Sequence, residues 1–173
     1  MPQSQVYMNQ SAGVPGELFN DSPTRAQAFI LESEDADNNV FGRAFTVVAG
    51  ENGIAQAGGT GVFAGFLINP KAHASYGTSA GGPLAPTLTL ANEVVADILN
   101  MGTLFVTLPA AASVGDLVIF DQDTGELETI SPGDDLPDGF GFAHAVVDYY
   151  NVTAAGIAVI TVTDVPPIPE PAP

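Results

Sequence analysis

Glycine and proline recur so often along this chain that its helices and strands are expected to be short and often interrupted. The 173 residues include 19 Gly and 14 Pro. Glycine weakens the interior of helices and strands, and proline removes a backbone donor from either. The apolar segments between these breaks are short and rich in β-branched and aromatic residues, which is typical of strands. The pattern predicts an all-β protein, built as a compact small β-barrel or a sandwich.

Ten short segments carry this strand pattern, with turn residues between them. Glu51 and the dipeptide Asn52–Gly53 form a strong hairpin signal between two of the segments. Gly65 interrupts the most hydrophobic segment and predicts a bulge or a close backbone contact. Residues 92–100 fit a short helix or a strand, and we favour the strand because strands surround them. The predicted strands are 26–31, 41–48, 54–57, 62–68, 92–100, 103–108, 115–120, 126–130, 139–149 and 156–163.

The predicted organisation is one domain that carries an extended arm and a tail. Residues 1–25 are polar and broken by Gly and Pro, which predicts an N-terminal arm that becomes ordered on a partner. Residues 26–164 form the β-rich domain, with room for two subregions at 26–91 and 92–164. The Pro-rich tail, residues 165–173, cannot join a sheet ladder and is expected to be extended. The arm's candidate anchors are its isolated apolar side chains, Val6, Tyr7, Leu18 and Phe19.

Positive charge ends early in the chain, at Lys71. The 102 residues after it carry 13 acidic side chains and no Lys or Arg, whereas residues 1–71 carry three basic side chains against seven acidic ones. The two parts contribute −13 and −4, which sum to the net charge of −17. Because nucleic-acid affinity rests on Lys and Arg that neutralise phosphates, nucleic acid and anionic membranes are excluded as partners. A protein partner remains, and Arg25, Arg43 and Lys71 are candidate contacts.

The residues that could support catalysis or metal binding lack the required spacing. No Cys is present, and neither His73 nor His144 belongs to a zinc or serine-hydrolase motif. The turn at 121–125 breaks the frame of an EF-hand, and the acidic segment 32–39 is better explained as a solvated loop than as a Ca²⁺ site. Paired carboxylates of a glycoside hydrolase stay open as an alternative, although no Trp supplies a sugar platform. We therefore expect no enzyme activity and no cofactor or metal.

The N-terminal sequence MPQSQVYMNQSAG has no basic start and no apolar run, so it is not a secretory signal. No segment approaches the ~20 apolar residues of a membrane span. Synthesis in a cytosol is the expectation.

Three segments, in the order in which they follow along the chain, resemble the bacteriophage structural cement proteins, which are capsid decoration proteins of tailed phages. They are AFTVVAG…GGTGVFAGFLINPKAHASYGT at 44–78, LAPTLTLANEVVADILNMGTLFVTL at 84–108 and VGDLVIFDQDTGEL at 114–127. The matching features include the motif that ends at Lys71, the pair Tyr76–Gly77 and the step Met101–Gly102 before a strand. The similarity covers roughly residues 10–163. The strong acidity of this chain departs from the gentler charge that we expect of the family.

The resemblance implies a non-catalytic β-rich protein that binds the outer surface of an assembled phage head and stabilises it. The implied partners are the major capsid protein and neighbouring copies of the chain, and the implied location is the virion, after synthesis in the host cytoplasm. Tyr76, within the Gly/Pro-rich segment 69–91, joins the arm residues and the three basic residues as a candidate capsid contact. The alternatives are a carbohydrate- or receptor-binding β module of a virion, or a tail or baseplate component.

Overall fold

The computed structural model describes residues 13–20, 23–69 and 89–163 of the chain. Within these ranges the regular structure is nine β-strands and one short 3-10 helix, which confirms the predicted all-β class. The strands are β1 (Arg25–Leu31), β2 (Ala44–Val47), β3 (Ile54–Ala57), β4 (Phe63–Leu67), β5 (Val95–Leu108), β6 (Leu117–Asp121), β7 (Leu127–Ile130), β8 (Phe140–Asp148) and β9 (Gly156–Val162), and the helix is η1 (Ala36–Asn38).

The first five strands close into a small barrel, one of the two architectures that the sequence predicts. Their order is β1-β3-β2-β4-β5, and β5 pairs back with β1. The closing ladder is antiparallel and runs from Arg25 opposite Met101 to Ile30 opposite Val95. The pairing of β1 with β3 is parallel and joins them at Ile30 and Leu31 alone. The barrel therefore depends on β5 for its longest seam.

The second half of β5 continues into a separate antiparallel sheet, which we call the C-terminal sheet. Its order is β5-β9-β8-β6-β7. The β5–β9 ladder registers seven residue pairs, from Gly102 opposite Val162 to Leu108 opposite Gly156. At 14 residues, β5 is long enough to belong to both the barrel and this sheet. It is the element that joins the two regions.

Two apolar cores lie on opposite sides of the barrel wall. Phe45 points into the barrel, whereas its neighbour Ala44 belongs to the core of the C-terminal sheet. Likewise Leu67 faces the barrel interior and Phe66 faces the sheet. This follows from the alternation of side chains along a strand. The core of the C-terminal sheet contains the buried residues Leu104, Val106, Leu108, Val118, Phe120, Leu127, Val147, Ile160 and Val162, among others.

Two glycines permit the close backbone approaches that hold these layers together. Gly65 has a φ of 139°, and a Cβ placed on it would lie 2.1 Å from the carbonyl oxygen of Leu99. The predicted close backbone contact at Gly65 is thus confirmed. Gly125, in the β6–β7 turn, has a φ of 73°, and its Cβ would lie 2.5 Å from the carbonyl oxygen of Ala44. A side chain at either position would push the strands apart.

The ambiguous segment at 92–100 is strand from Val95 onward, as favoured, whereas residues 92–93 form a turn, and the strand continues through the segment predicted at 103–108 as a single element. A helix does not begin at Asn92, because its side chain is engaged elsewhere. The Asn92 amide oxygen accepts from the backbone N–H of Ser33 at 3.1 Å and from Asn39 Nδ2 at 2.9 Å. The next residue, Glu93, has a φ of 65°, which no helix allows. Strand β2 begins at Ala44, later than predicted, because residues 41–42 form a turn.

Candidate interaction surface

The described part of the arm, residues 13–20, lies along the middle of β5. The Gly16 N–H donates to the Phe105 carbonyl oxygen at 2.7 Å, and the Phe105 N–H donates to the Glu17 oxygen at 2.9 Å. The Phe19 N–H donates to the Thr103 oxygen at 2.9 Å. These bonds add the segment as a short strand on the side of β5 that β9 does not occupy. The backbone of this part of the arm is therefore satisfied within the chain.

The two described anchor candidates of the arm have different surroundings. Phe19 packs edge-on against Phe105, with ring centroids 5.4 Å apart, and against Tyr149 at 4.4 Å. The side-chain amide of Asn20 donates to the Tyr149 hydroxyl at 3.0 Å. Leu18 lies opposite Leu104 and keeps 39% of its surface exposed. Leu18 is thus available to a partner, whereas Phe19 mainly fixes the arm on the domain.

Arg43 joins the barrel to the C-terminal sheet. Its Nη1 donates to Asn38 Oδ1 at 2.7 Å and to the Thr124 carbonyl oxygen at 3.1 Å, and its Nη2 forms an ion pair with Glu126. Its side chain is only 20% exposed. Because Thr124 and Glu126 lie in the β6–β7 turn, the guanidinium connects that turn to the loop that carries η1. The geometry makes Arg43 a structural contact between the two regions.

Arg25 lies at the start of β1 and is exposed. Its Nε donates to Asn100 Oδ1 at 2.8 Å, across the ladder to β5. Arg25 and the arm segment at residues 13–20 therefore both contact the same strand, β5. The remaining predicted contacts, Val6, Tyr7, Lys71 and Tyr76, lie outside the described residues.

One side of the barrel is lined by carboxylates. Loop residues Glu32 and Glu34 and the hairpin residue Glu51 line an open groove together with Val48 and Ile54. Among the described residues, no three His, Cys, Asp or Glu side chains come close enough together to hold a metal ion. The described ranges also contain no helix long and apolar enough to cross a membrane. The groove is a negatively charged surface that also presents two apolar side chains.

His144 lies on the strand face opposite Ala143 and Ala145, which are buried, as its position in the sequence indicates. It has a φ of 47° and packs against the Phe63 ring, with centroids 5.1 Å apart. Phe63 also contacts Phe66 and Phe120, so the imidazole borders the core of the C-terminal sheet. This arrangement gives His144 a packing role.

A further exposed surface, which the sequence does not reveal, lies on the outward face of β1 and β5. Ile30 and Val95 are directly paired there and are 42% and 59% exposed. Ala26 and Ala28 precede them on the same face of β1 and are also exposed. The segment 26–31 shows only that a strand is present. Which of its faces is buried depends on the barrel, so no local signal could have marked this surface.

The comparisons with known proteins agree with the resemblance that the sequence motifs carry. Residues 1–163 match a protein family described as structural cement protein (E217 gp24/Pam3 gp6). No curated protein matches the chain. The family match includes the whole barrel, the C-terminal sheet and the arm.

Proposed function

Since this chain belongs to the phage structural cement protein family, it is a structural component of the virion, and we propose that it binds the outer surface of the assembled capsid and stabilises it. The family match over residues 1–163 carries this proposal, because it covers nearly all of the chain. In this proposal the partner is the major capsid protein, several copies bind the same shell, and the chain has no catalytic activity.

The charge distribution supports a position on the outside of the shell. Of the 20 acidic residues, all but Asp21, Asp164 and Glu170 are described, which leaves 17. The described basic residues are Arg25 and Arg43, and both donate hydrogen bonds within the chain. A surface of this kind is repelled by packaged DNA, because binding to phosphates needs exposed cations. It suits a protein that faces solvent and meets a partner with complementary charge.

The stabilisation would follow from differential binding. A protein that binds the assembled lattice better than separated capsid subunits shifts the equilibrium toward the assembled state. Several bound copies act together, because opening the shell breaks many contacts at once. No chemical step is required of the bound protein.

The test compares heads with and without this protein. Purified heads that lack the chain are heated or osmotically shocked, then re-tested after the purified chain is added back. We expect the release temperature of the packaged DNA to rise with occupancy and to reach that of native particles. Equal resistance of bare and loaded heads, or a chain absent from purified virions, would refute the proposal. A glycan array with the same protein tests the receptor-binding alternative.

A further inference from the structure

Within the part of the chain that the structure describes, strand β1 has one unpaired edge. On one side it pairs with β5 along its whole length, from Arg25 to Ile30. On the other side it pairs with β3 only at Ile30 and Leu31. Among the described residues, no strand pairs with that second side over residues 25–29. The barrel is therefore closed at the C-terminal end of β1, at Ile30 and Leu31, and the edge at residues 25–29 has no described partner.

The hydrogen-bond pattern shows which backbone groups face this opening. The Leu31 N–H donates toward β5, to the Val94 oxygen at 3.0 Å, whereas the Ile30 N–H donates the other way, to the Gly53 oxygen at 2.8 Å. In an antiparallel ladder these directions alternate along the strand. The N–H and C=O groups of Ala26 and Ala28 therefore point away from β5, into the opening. Both residues are exposed.

We propose that this edge, residues 25–29, binds an extended and basic segment of the capsid shell protein as an added β-strand. The inference rests on the proposed function and names the contact through which the chain would reach the capsid. Exposed strand edges are templates for pairing with another chain, and added strands are a recurrent mode of recognition. The side chains of Ala26 and Ala28 are small, so that a second backbone has room to approach the edge.

The carboxylates beside the edge favour a basic occupant, while the one described cation on the edge itself, Arg25, is bound to Asn100 on β5. Asp97 lies directly opposite Ala28 on β5 and is exposed. A strand added to β1 would place a side chain two strand spacings from Asp97, about 10 Å away, with only the Ala28 methyl group between. A long Lys or Arg side chain can extend across that gap. The exposed Glu32 and Glu51, near the other end of β1, add to the negative field.

A second copy of this chain is the less suitable occupant. The described residues of this chain include 17 acidic side chains and two arginines, which already donate hydrogen bonds to Asn100 and Asn38. Two such molecules repel one another through the same carboxylates that would attract a basic segment. Charge complementarity therefore favours a different protein.

The first experiment removes one backbone N–H group of the unpaired edge and is designed to keep the fold. Ala28→Pro deletes an N–H that faces the opening and takes no part in the ladder to β5, and proline is tolerated on strand edges. Ala28→Val is the matched control, because it keeps the N–H. With heads that lack the chain as the probe, we expect Ala28→Pro to weaken binding by about three- to tenfold, the effect of a lost hydrogen bond, and Ala28→Val to bind normally. Wild-type affinity of a folded Ala28→Pro protein overturns the inference.

A second measurement keeps the inference falsifiable if the proline variant does not fold. Hydrogen exchange on the wild-type chain is compared before and after it binds the heads, and we expect new protection at Ala26 and Ala28. Bound protein without that protection overturns the inference, as does protection already present in the isolated chain. If the wild-type chain does not bind heads at all, the proposed function itself has failed.

The choice of a basic occupant has its own test. Asp97→Asn should weaken binding to the heads by about two- to fivefold at low salt and reduce its salt dependence. Asp134→Asn, an exposed carboxylate in the β7–β8 loop, is the control and should bind as the wild type does. Equal affinity of the Asp97→Asn and wild-type proteins rejects a basic occupant.

Discussion

Apart from the closing β1–β5 ladder, which registers six residue pairs, the barrel is held by ladders of two or three pairs, whereas every ladder of the C-terminal sheet registers at least four. In the barrel, β1–β3 and β4–β5 each register two residue pairs. In the C-terminal sheet, β5–β9 registers seven. Three of the four buried polar residues in the described part of the chain, Ser33, Asn39 and Thr46, also lie in the barrel strands or in the loop between β1 and β2. The comparison suggests that specific polar contacts stabilise the barrel, and that continuous apolar packing stabilises the sheet.

The Ser33–Asn39–Asn92 network shows how the barrel depends on such contacts. The Ser33 hydroxyl donates to Asn39 Oδ1 at 2.6 Å and accepts from the Ala57 N–H at 2.8 Å. Asn39 Nδ2 donates to the Leu90 carbonyl oxygen at 3.0 Å. The loop between β1 and β2, the end of β3 and the segment before β5 are thereby fixed to one another. Buried polar groups tie these segments together only if every member has a partner.

The largest expected effect tests whether the two regions unfold together. Phe66 lies on a barrel strand and is fully buried in the core of the C-terminal sheet. Phe66→Ala should lower the free energy of unfolding by about 3 to 5 kcal/mol, through lost burial and the cavity left behind. Urea denaturation followed by circular dichroism should show one transition at a lower midpoint. Two separate transitions would show that the barrel and the sheet are independent units.

The next effect is confined to the barrel. Asn39→Ala leaves the Leu90 oxygen without its side-chain donor and the Ser33 hydroxyl hydrogen without its acceptor, which should cost about 2 to 3 kcal/mol of stability. Hydrogen exchange should increase first at β3 and residues 90–92, before the C-terminal sheet is affected. Asn52→Ala, at an exposed turn position, is the control and should stay within about 0.5 kcal/mol. Uniform acceleration across both regions would contradict the comparison.

A smaller effect is expected at the junction between the regions. Arg43→Gln removes the ion pair with Glu126 and weakens the contacts to the β6–β7 turn, with an expected loss of about 1 to 2 kcal/mol. Arg25→Gln should change stability by less than about 0.5 kcal/mol, because Arg25 is exposed. Thermal unfolding of both variants provides the measurement. Equal destabilisation by the two substitutions would remove the special role given to Arg43.

The smallest effect compares the packing of the two cores directly. Ile98 lies in the barrel core and Ile160 in the core of the C-terminal sheet, and both are fully buried. Conversion of either residue to Val removes one methylene group and should lower stability by about 0.5 to 1.5 kcal/mol. Similar losses from chemical denaturation would show that both interiors are tightly packed. A loss near zero for Ile98→Val alone would identify the barrel as the looser region.

The sequence predicted most strands but not their partners. The hairpin at 51–53 and the strands on both sides of it were predicted because Asn-Gly and the β-branched residues act over a few positions. The closure of β1 on β5 could not be predicted in this way, since it pairs residues about 70 positions apart, such as Ala28 and Asp97. The division of residues 92–108 into two elements was wrong for a related reason: one strand crosses from the barrel into the sheet.

The candidate contact residues show the same limit. Composition alone marked Arg43 as one of three basic residues, yet its role in joining the regions depends on Glu126, 83 positions away. Leu18 and Phe19 are adjacent apolar residues in a polar segment, and only their docking on β5 gives them different exposures. The outward face of β1 could not be recognised before the barrel showed which face was buried.

The features that follow from the sequence alone are local: the strand content, the turns, the net charge and the motifs that mark the family. These depend on side-chain type and on spacing within a few residues. Three further features emerge only in the folded chain: β5 serves two regions, Arg43 joins them, and one edge of β1 is unpaired among the described residues. Each of these depends on groups far apart in the chain, which become neighbours only when burial of the apolar faces fixes how the strands pair.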